Sequence, residues 1–154
     1  GKNRLFAEQQ FKKFSKDSYH IVRLSNLFGD GLKKNILFDL LHDNLLETIN
    51  PRSVFQHYSL NRLWPDIQTV LEKNIGLVNL VTPPIATAEI AGLFFKDKPI
   101  GAKPAAAASY NVLTRYGGYF GGPEGYIETK GQVLEKLEKF IYSQKTSWSS
   151  QFLI

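Results

Sequence analysis

His20-Ile21-Val22-Arg23-Leu24-Ser25-Asn26-Leu27-Phe28-Gly29-Asp30-Gly31 decides how this chain is read. A short apolar run ends in an Asn and a turn bounded by glycines, then leads into a new helical pattern. In α/β proteins ligands sit at such strand ends, because the backbone opens at the carboxyl edge of the sheet. Upstream, Leu5, Phe6, Phe11 and Phe14 recur near a 3.6-residue period on a basic, polar background. That spacing predicts an amphipathic helix over 3–16, broken at Asp17-Ser18, followed by a strand over Tyr19–Leu24.

Downstream, Leu32, Ile36, Leu37, Leu40 and Leu41 share one face of a second helix, expected over 32–46. Asn50-Pro51-Arg52 reads as a turn and Ser53–Tyr58 as a short strand. Asn61 is placed to cap a third helix running to about Asn74, with Pro65 in its first turn, where a missing N–H is tolerated. Leu77–Leu80 reads as another strand and Thr82-Pro83-Pro84 as a loop. Thr87 is placed to cap a short helix over Ala88–Phe95, which sets Glu89 at the positive end of its dipole.

Residues 96–109, with four consecutive alanines, read as an irregular surface loop, and Tyr110–Leu113 as a last strand. Arg115–Gly125 is a Gly- and Tyr-rich loop, and Lys130–Ser143 a terminal helix. The Ser-rich tail from Gln144 is expected to be loose. Strands alternating with helices argue for an α/β fold with parallel pairing.

Composition narrows the function. The chain has 154 residues with 43% apolar content, enough to bury a core. No stretch approaches the roughly 18 apolar residues of a membrane span, so no membrane partner is expected. The absence of cysteine excludes disulfides and thiolate metal sites. His20, His42 and His57 share no close spacing, which argues against zinc. The net charge of +5 is spread along the chain. It favours anionic small molecules but is too dilute for a nucleic-acid surface. A cytoplasmic location is the expectation.

Three stretches, in this order and spacing, carry a resemblance. Gly1-Lys2-Asn3-Arg4-Leu5-Phe6-Ala7-Glu8 resembles the helix that bears a Tyr-x-x-x-Lys pair. Val22-Arg23-Leu24-Ser25-Asn26-Leu27-Phe28-Gly29 resembles an Arg-x-x-Asn-Val-Tyr-Gly strand end. Leu77-Val78-Asn79-Leu80, with Thr87 and Glu89 downstream, resembles a late strand and helix onset. Together the chain resembles the C-terminal half of an extended short-chain dehydrogenase/reductase of the NAD-dependent epimerase/dehydratase family. The resemblance implies the end of a Rossmann-like, doubly wound sheet plus a small substrate-binding lobe, with the dinucleotide-binding half absent from 1–154. Gly at position 1 and the lack of any Met fit the expectation of a fragment.

The resemblance further implies hydride transfer between NAD or NADP and a small polar, sugar-like substrate, with a nucleotide-sugar as one candidate. Its acid/base Tyr would fall one residue before Gly1, and its Lys position holds Arg4, which keeps positive charge with a different shape. Arg4 is thus the implied catalytic cation and a ribose ligand, with Leu24, Ser25 and Asn26 as further cofactor contacts. Asn26, Phe28, Gln56 and His57 are the implied substrate contacts. Arg62 stands where the family often has Asp, and Phe55 where many nucleotide-sugar enzymes place a phosphate-binding Arg.

These departures keep a second expectation open, a non-catalytic module of the same architecture that binds a nucleotide or a protein partner. Tyr110, Tyr116, Tyr119 and Tyr126 fit either a carbohydrate-stacking loop or a loop anchored by aromatic rings. An isolated half would expose apolar surface, so association, including a homodimer, is expected.

Overall fold

The computed structural model describes residues 2–14 and 19–151. The expected helix break at Asp17-Ser18 lies outside the described residues. Within them the fold is mixed α/β, with two small sheets and five α-helices.

Strand β1 (Ile21–Leu24) pairs in parallel with β4 (Leu77–Leu80), Ile21 opposite Leu77 and Leu24 opposite Leu80. One residue later the same run continues as β2 (Asn26–Phe28), which belongs to the other sheet. There it pairs in parallel with β3 (Val54–Ser59), Asn26 opposite His57. Strand β5 (Pro84–Ala86) closes that sheet antiparallel to β3. Ser25 is therefore the point where the chain crosses from one sheet to the other.

Alternation along β3 sends Gln56 and Tyr58 to one side and Phe55, His57 and Ser59 to the other. Two apolar cores result. Tyr58 packs with Val70, Val78, Leu80 and Ile127, beneath helix α3 (Leu63–Glu72). Phe28 packs with Leu37, Leu40, Ile85, Ile90 and Leu137. This second core lies among α2 (Ile36–Leu41), α4 (Thr87–Phe94) and α5 (Lys130–Gln151).

Several expectations need correction. The second helix is far shorter than 32–46. It starts at Asn35, whose Oδ1 accepts from the N–H groups of Leu37 and Phe38 at 2.9 and 3.2 Å. It stops because Asp43 and Leu45 adopt positive φ, of 53° and 49°, which no α-helix accommodates. A short 3-10 turn at Leu46–Thr48 follows.

Asn61 does not cap α3, since the chain enters that helix through a 3-10 turn at Leu60–Arg62. Thr87 does not cap α4 either; it is the helix's first residue and its hydroxyl is buried without a partner among the described residues. Part of the expected Thr82-Pro83-Pro84 loop is strand β5, in which Pro84 starts the edge pairing with Gln56. No strand forms at Tyr110–Leu113. The loose tail expected from Gln144 is instead helix as far as Gln151. The start of α5 is a Thr-x-x-Gln capping box, in which the Thr129 N–H donates to Gln132 Oε1 at 2.8 Å.

Helix α1 (Lys2–Phe14) forms as expected, but none of its residues is buried. Leu5, Phe6, Phe11 and Phe14 are 53–81% exposed. Its anchor to the sheet is ionic: Arg23 of β1 grips Glu8 with Nε at 2.8 Å and a second guanidinium nitrogen at 2.5 Å.

Candidate functional site

Along β1 and past its carboxyl end runs a cavity of about 1500 Å³, bounded by α1, β1, β2 and the 31–35 loop. The loop is held by three local devices. Gly29 and Gly31 take φ of 150° and 78°, which a side chain would oppose. Leu32 returns an N–H to the Gly29 carbonyl at 3.3 Å and packs against the Phe28 core. Asn35 donates its side-chain amide to the Leu27 carbonyl at 2.8 Å, from a backbone at φ 131° that a non-glycine residue rarely adopts. The same side chain caps α2, so β2, the loop and the helix are tied at one residue.

Arg4, Leu24, Ser25 and Asn26, all singled out in the sequence, meet on the wall of this cavity. The Ser25 hydroxyl is buried there with no hydrogen-bond partner among the described residues. A buried, unsatisfied hydroxyl is costly in a native fold unless a ligand or water completes it.

The expected substrate contacts divide. Phe28 is 2% exposed and His57 fully buried, and neither lines the cavity. Asn26 and His57 are register partners on one face of the sheet, but Asn26 stands at the open start of β2 beside the cavity, whereas His57 and Phe28 are covered by the core. Burial without a hydrogen-bond partner pushes the His57 imidazole down to about 4.

Gln56 does line the cavity, yet its amide is committed. It donates to the carbonyls of Thr82 and Val112 at 2.7 and 2.8 Å, and its Oε1 accepts from the Val112 N–H at 2.8 Å. Gln56 thus acts as a side-chain rung holding an extended strap over 101–114. Backbone bonds do the same from Val54 to Ala108 and from Tyr110 to Val54, at 2.8 and 3.0 Å. This strap replaces the strand expected at Tyr110–Leu113. Its first half donates N–H groups from Gly101, Lys103 and Ala105 to the carbonyls of Leu46, Glu47 and Thr48 in the 3-10 turn, and its second half meets β3 at Val54 and Gln56.

The tyrosines are not one cluster. Tyr110 lines the cavity and stacks on Phe55, ring centroids 5.8 Å apart. Tyr116 and Tyr119 stack on each other in the 3-10 turn at Gly117–Phe120, with Arg115 and Lys73 over their faces. Tyr126 donates its hydroxyl to Asn111 at 2.7 Å. Gly117 and Gly122 permit that turn, since a Cβ on either would lie 2.3 Å from the Tyr126 carbonyl oxygen.

A second polar centre escaped the sequence reading. Arg62 holds both oxygens of Asp66, at 3.1 and 2.9 Å, and reaches Glu128 at 2.6 Å. Tyr58 donates to Asp66 at 2.8 Å, and Lys136 pairs with Glu128. Burial, and then the bond to Asp66, push the Tyr58 phenol well above its ordinary value. The cavity of about 580 Å³ beside it is lined by Arg62, Lys136 and Lys139, each already paired with a carboxylate. This centre joins α3, β3 and α5, which is structural work.

Lys33 and Lys34 also went unread as site residues. They line the large cavity on the pinned loop and have no carboxylate partner among the described residues. The doubled lysine after a Gly-Asp-Gly turn was the available signal. Among the described residues no group of three or more His, Asp or Glu side chains is placed to hold a metal ion. No helix among them is long and apolar enough to cross a membrane. No family model matches the chain, and a search of the curated proteins finds no match to it.

Proposed function

We propose that this chain is the later part of an NAD(P)-dependent epimerase, dehydratase or reductase, acting on a sugar-like or other polar substrate. The observation that carries the reading is the meeting of Arg4, Ser25 and Asn26 on one cavity at the carboxyl end of a parallel strand. Parallel sheets bind cofactor and substrate at that edge. A doubly wound sheet is part of the proposal. It is supported by α1 on one face of β1, through Glu8 and Arg23, and α3 on the other, where Val70 packs with Val78. Strand β1 also has only one hydrogen-bonded neighbour among the described residues, which leaves an edge for a further parallel strand.

The residues present fit a dinucleotide's sugar and nicotinamide end. The orphaned Ser25 hydroxyl supplies a hydrogen-bonding group, the Leu24 backbone lies beside it, and Arg4 brings a charge with no acidic partner among the described residues. Bound there, a nicotinamide would supply hydride chemistry. The chain's own contributions are positional: Arg4 holds hydroxyls and favours an anionic form of any nearby acid, and Asn26 orients a polar group at the strand end. Sequence departures at Arg4 and Phe55 favour a second reading, a module that binds nucleotide without turnover.

The test is titration of the native gene product with NADH and NADPH, followed by nucleotide fluorescence. Saturable binding, weakened about tenfold or more by Arg4→Ala as expected for loss of a charge-assisted hydrogen bond, supports the proposal. Absence of saturable binding of either nucleotide refutes it. Binding without oxidation of nucleotide over a panel of carbonyl substrates favours the second reading.

A further inference from the structure

The walls of the large cavity are electrically unbalanced. Arg4, Arg23, Lys33 and Lys34 contribute four positive charges, and Glu8 is the one carboxylate among its lining residues. Glu8 is already taken by Arg23, whose guanidinium holds its carboxyl below the usual carboxylate range. The remaining cations, Arg4, Lys33 and Lys34, have no acidic partner among the described residues. The smaller cavity is the internal contrast, because each of its cations has a carboxylate. Cations gathered on a concave, partly apolar wall focus the field and raise the local concentration of anions.

Geometry distinguishes Lys33 and Lys34 from ordinary surface lysines. Their loop is fixed at its start by Gly29 and Leu32 and at its end by Asn35, so little loop entropy opposes their joint use. Two ammonium groups on adjacent residues suit a group with several charged oxygens better than a single carboxylate.

We propose that Lys33 and Lys34 form the anion-binding subsite of this cavity and select a substrate that carries a phosphate group. The subsite rests on the reading of this cavity as the ligand site, but not on the identity of the cofactor.

Pyrophosphate, with malonate as the carboxylate comparison, is titrated calorimetrically into the native gene product and its variants. The proposal expects saturable pyrophosphate binding that weakens with salt and exceeds malonate binding by about tenfold. The double variant Lys33→Gln/Lys34→Gln should lose at least about tenfold in affinity. Lys33→Arg/Lys34→Arg should retain binding, and the charge-matched control Lys12→Gln/Lys13→Gln on α1 should stay within about twofold. Unchanged circular dichroism melts exclude misfolding, since both lysines are exposed. Equal losses in the 33/34 and 12/13 variants, equal affinity for malonate, or no saturable binding overturns the proposal. Pyrophosphate binding that depends on Lys33 and Lys34, in a protein that ignores NADH and NADPH, would sink the redox reading and leave the subsite standing. Nucleotide binding without the lysine dependence would do the reverse.

Discussion

Replacing His57 with Leu should make the fold more tolerant of acid. The ring is fully buried on β3, with Phe55 edge-on at 6.4 Å and neither nitrogen hydrogen-bonded among the described residues. Burial holds the folded imidazole near 4, against an unfolded value of 6.5. The folded state therefore binds fewer protons than the unfolded chain between these values. The stability from neutral His57 is complete above about pH 6.5, falls as pH drops, and levels off below about pH 4. Linkage gives a loss of about 2 kcal/mol near pH 5 and about 3 kcal/mol near pH 4. Leu fills a similar volume and has no proton to gain, and no hydrogen bond is lost with the ring. Urea unfolding followed by far-UV circular dichroism, at several pH values from 7 to 4, measures the difference. Wild type should lose about 2 kcal/mol more than His57→Leu between pH 7 and pH 5. Parallel curves for the two proteins would refute the reasoning, because the carboxylates that also titrate in acid are common to both.

Other substitutions test the remaining parts of the fold. Asp66→Ala leaves Arg62 and Tyr58 facing a buried gap and should cost about 3 kcal/mol in urea unfolding, whereas Tyr58→Phe should cost about 1 kcal/mol. Gly122→Ala forces a Cβ into the Tyr126 carbonyl and should destabilise by about 1–3 kcal/mol, while Gly118→Ala, with open space around it, should be nearly neutral. Gln56→Leu removes both side-chain bonds to the strap at Val112 and one to Thr82; amide exchange should accelerate at Val112 by at least about tenfold while the β1–β4 pairing keeps its protection.

Local patterns in the sequence reached the strands and helices that bury one face. β1, β3, β4, α3 and α4 all lie within a few residues of where period-2 and 3.6-residue spacing puts them. The patterns failed where a side chain or an unusual backbone angle, not hydrophobic spacing, decides the outcome. Leu45 belongs to an apolar run that reads as helix, yet its positive φ ends the element. Gln56 reads as a strand residue that contacts substrate, and only the folded chain brings Val112 to its amide. Helix α1 has an apolar stripe that the described residues leave uncovered.

Arg4, Ser25 and Asn26 came from the family resemblance, and the fold brings all three to one cavity because a strand end and the helix before it sit close in sequence. Phe28 and His57 share that neighbourhood but point into the core. Lys33 and Lys34 were hidden because charge runs usually face solvent. Their significance comes from the cavity beneath them, where Glu8, the one lining carboxylate among the described residues, is already paired with Arg23.

Hydrogen exchange on the native gene product, with and without saturating NADPH, bears most directly on the central claim. The account predicts protection over 21–27 and over helix 2–14, the segments that wall the cavity, with little change across the Arg62–Asp66–Glu128 centre. Unchanged exchange over 21–27, or protection confined to that second centre, would contradict it.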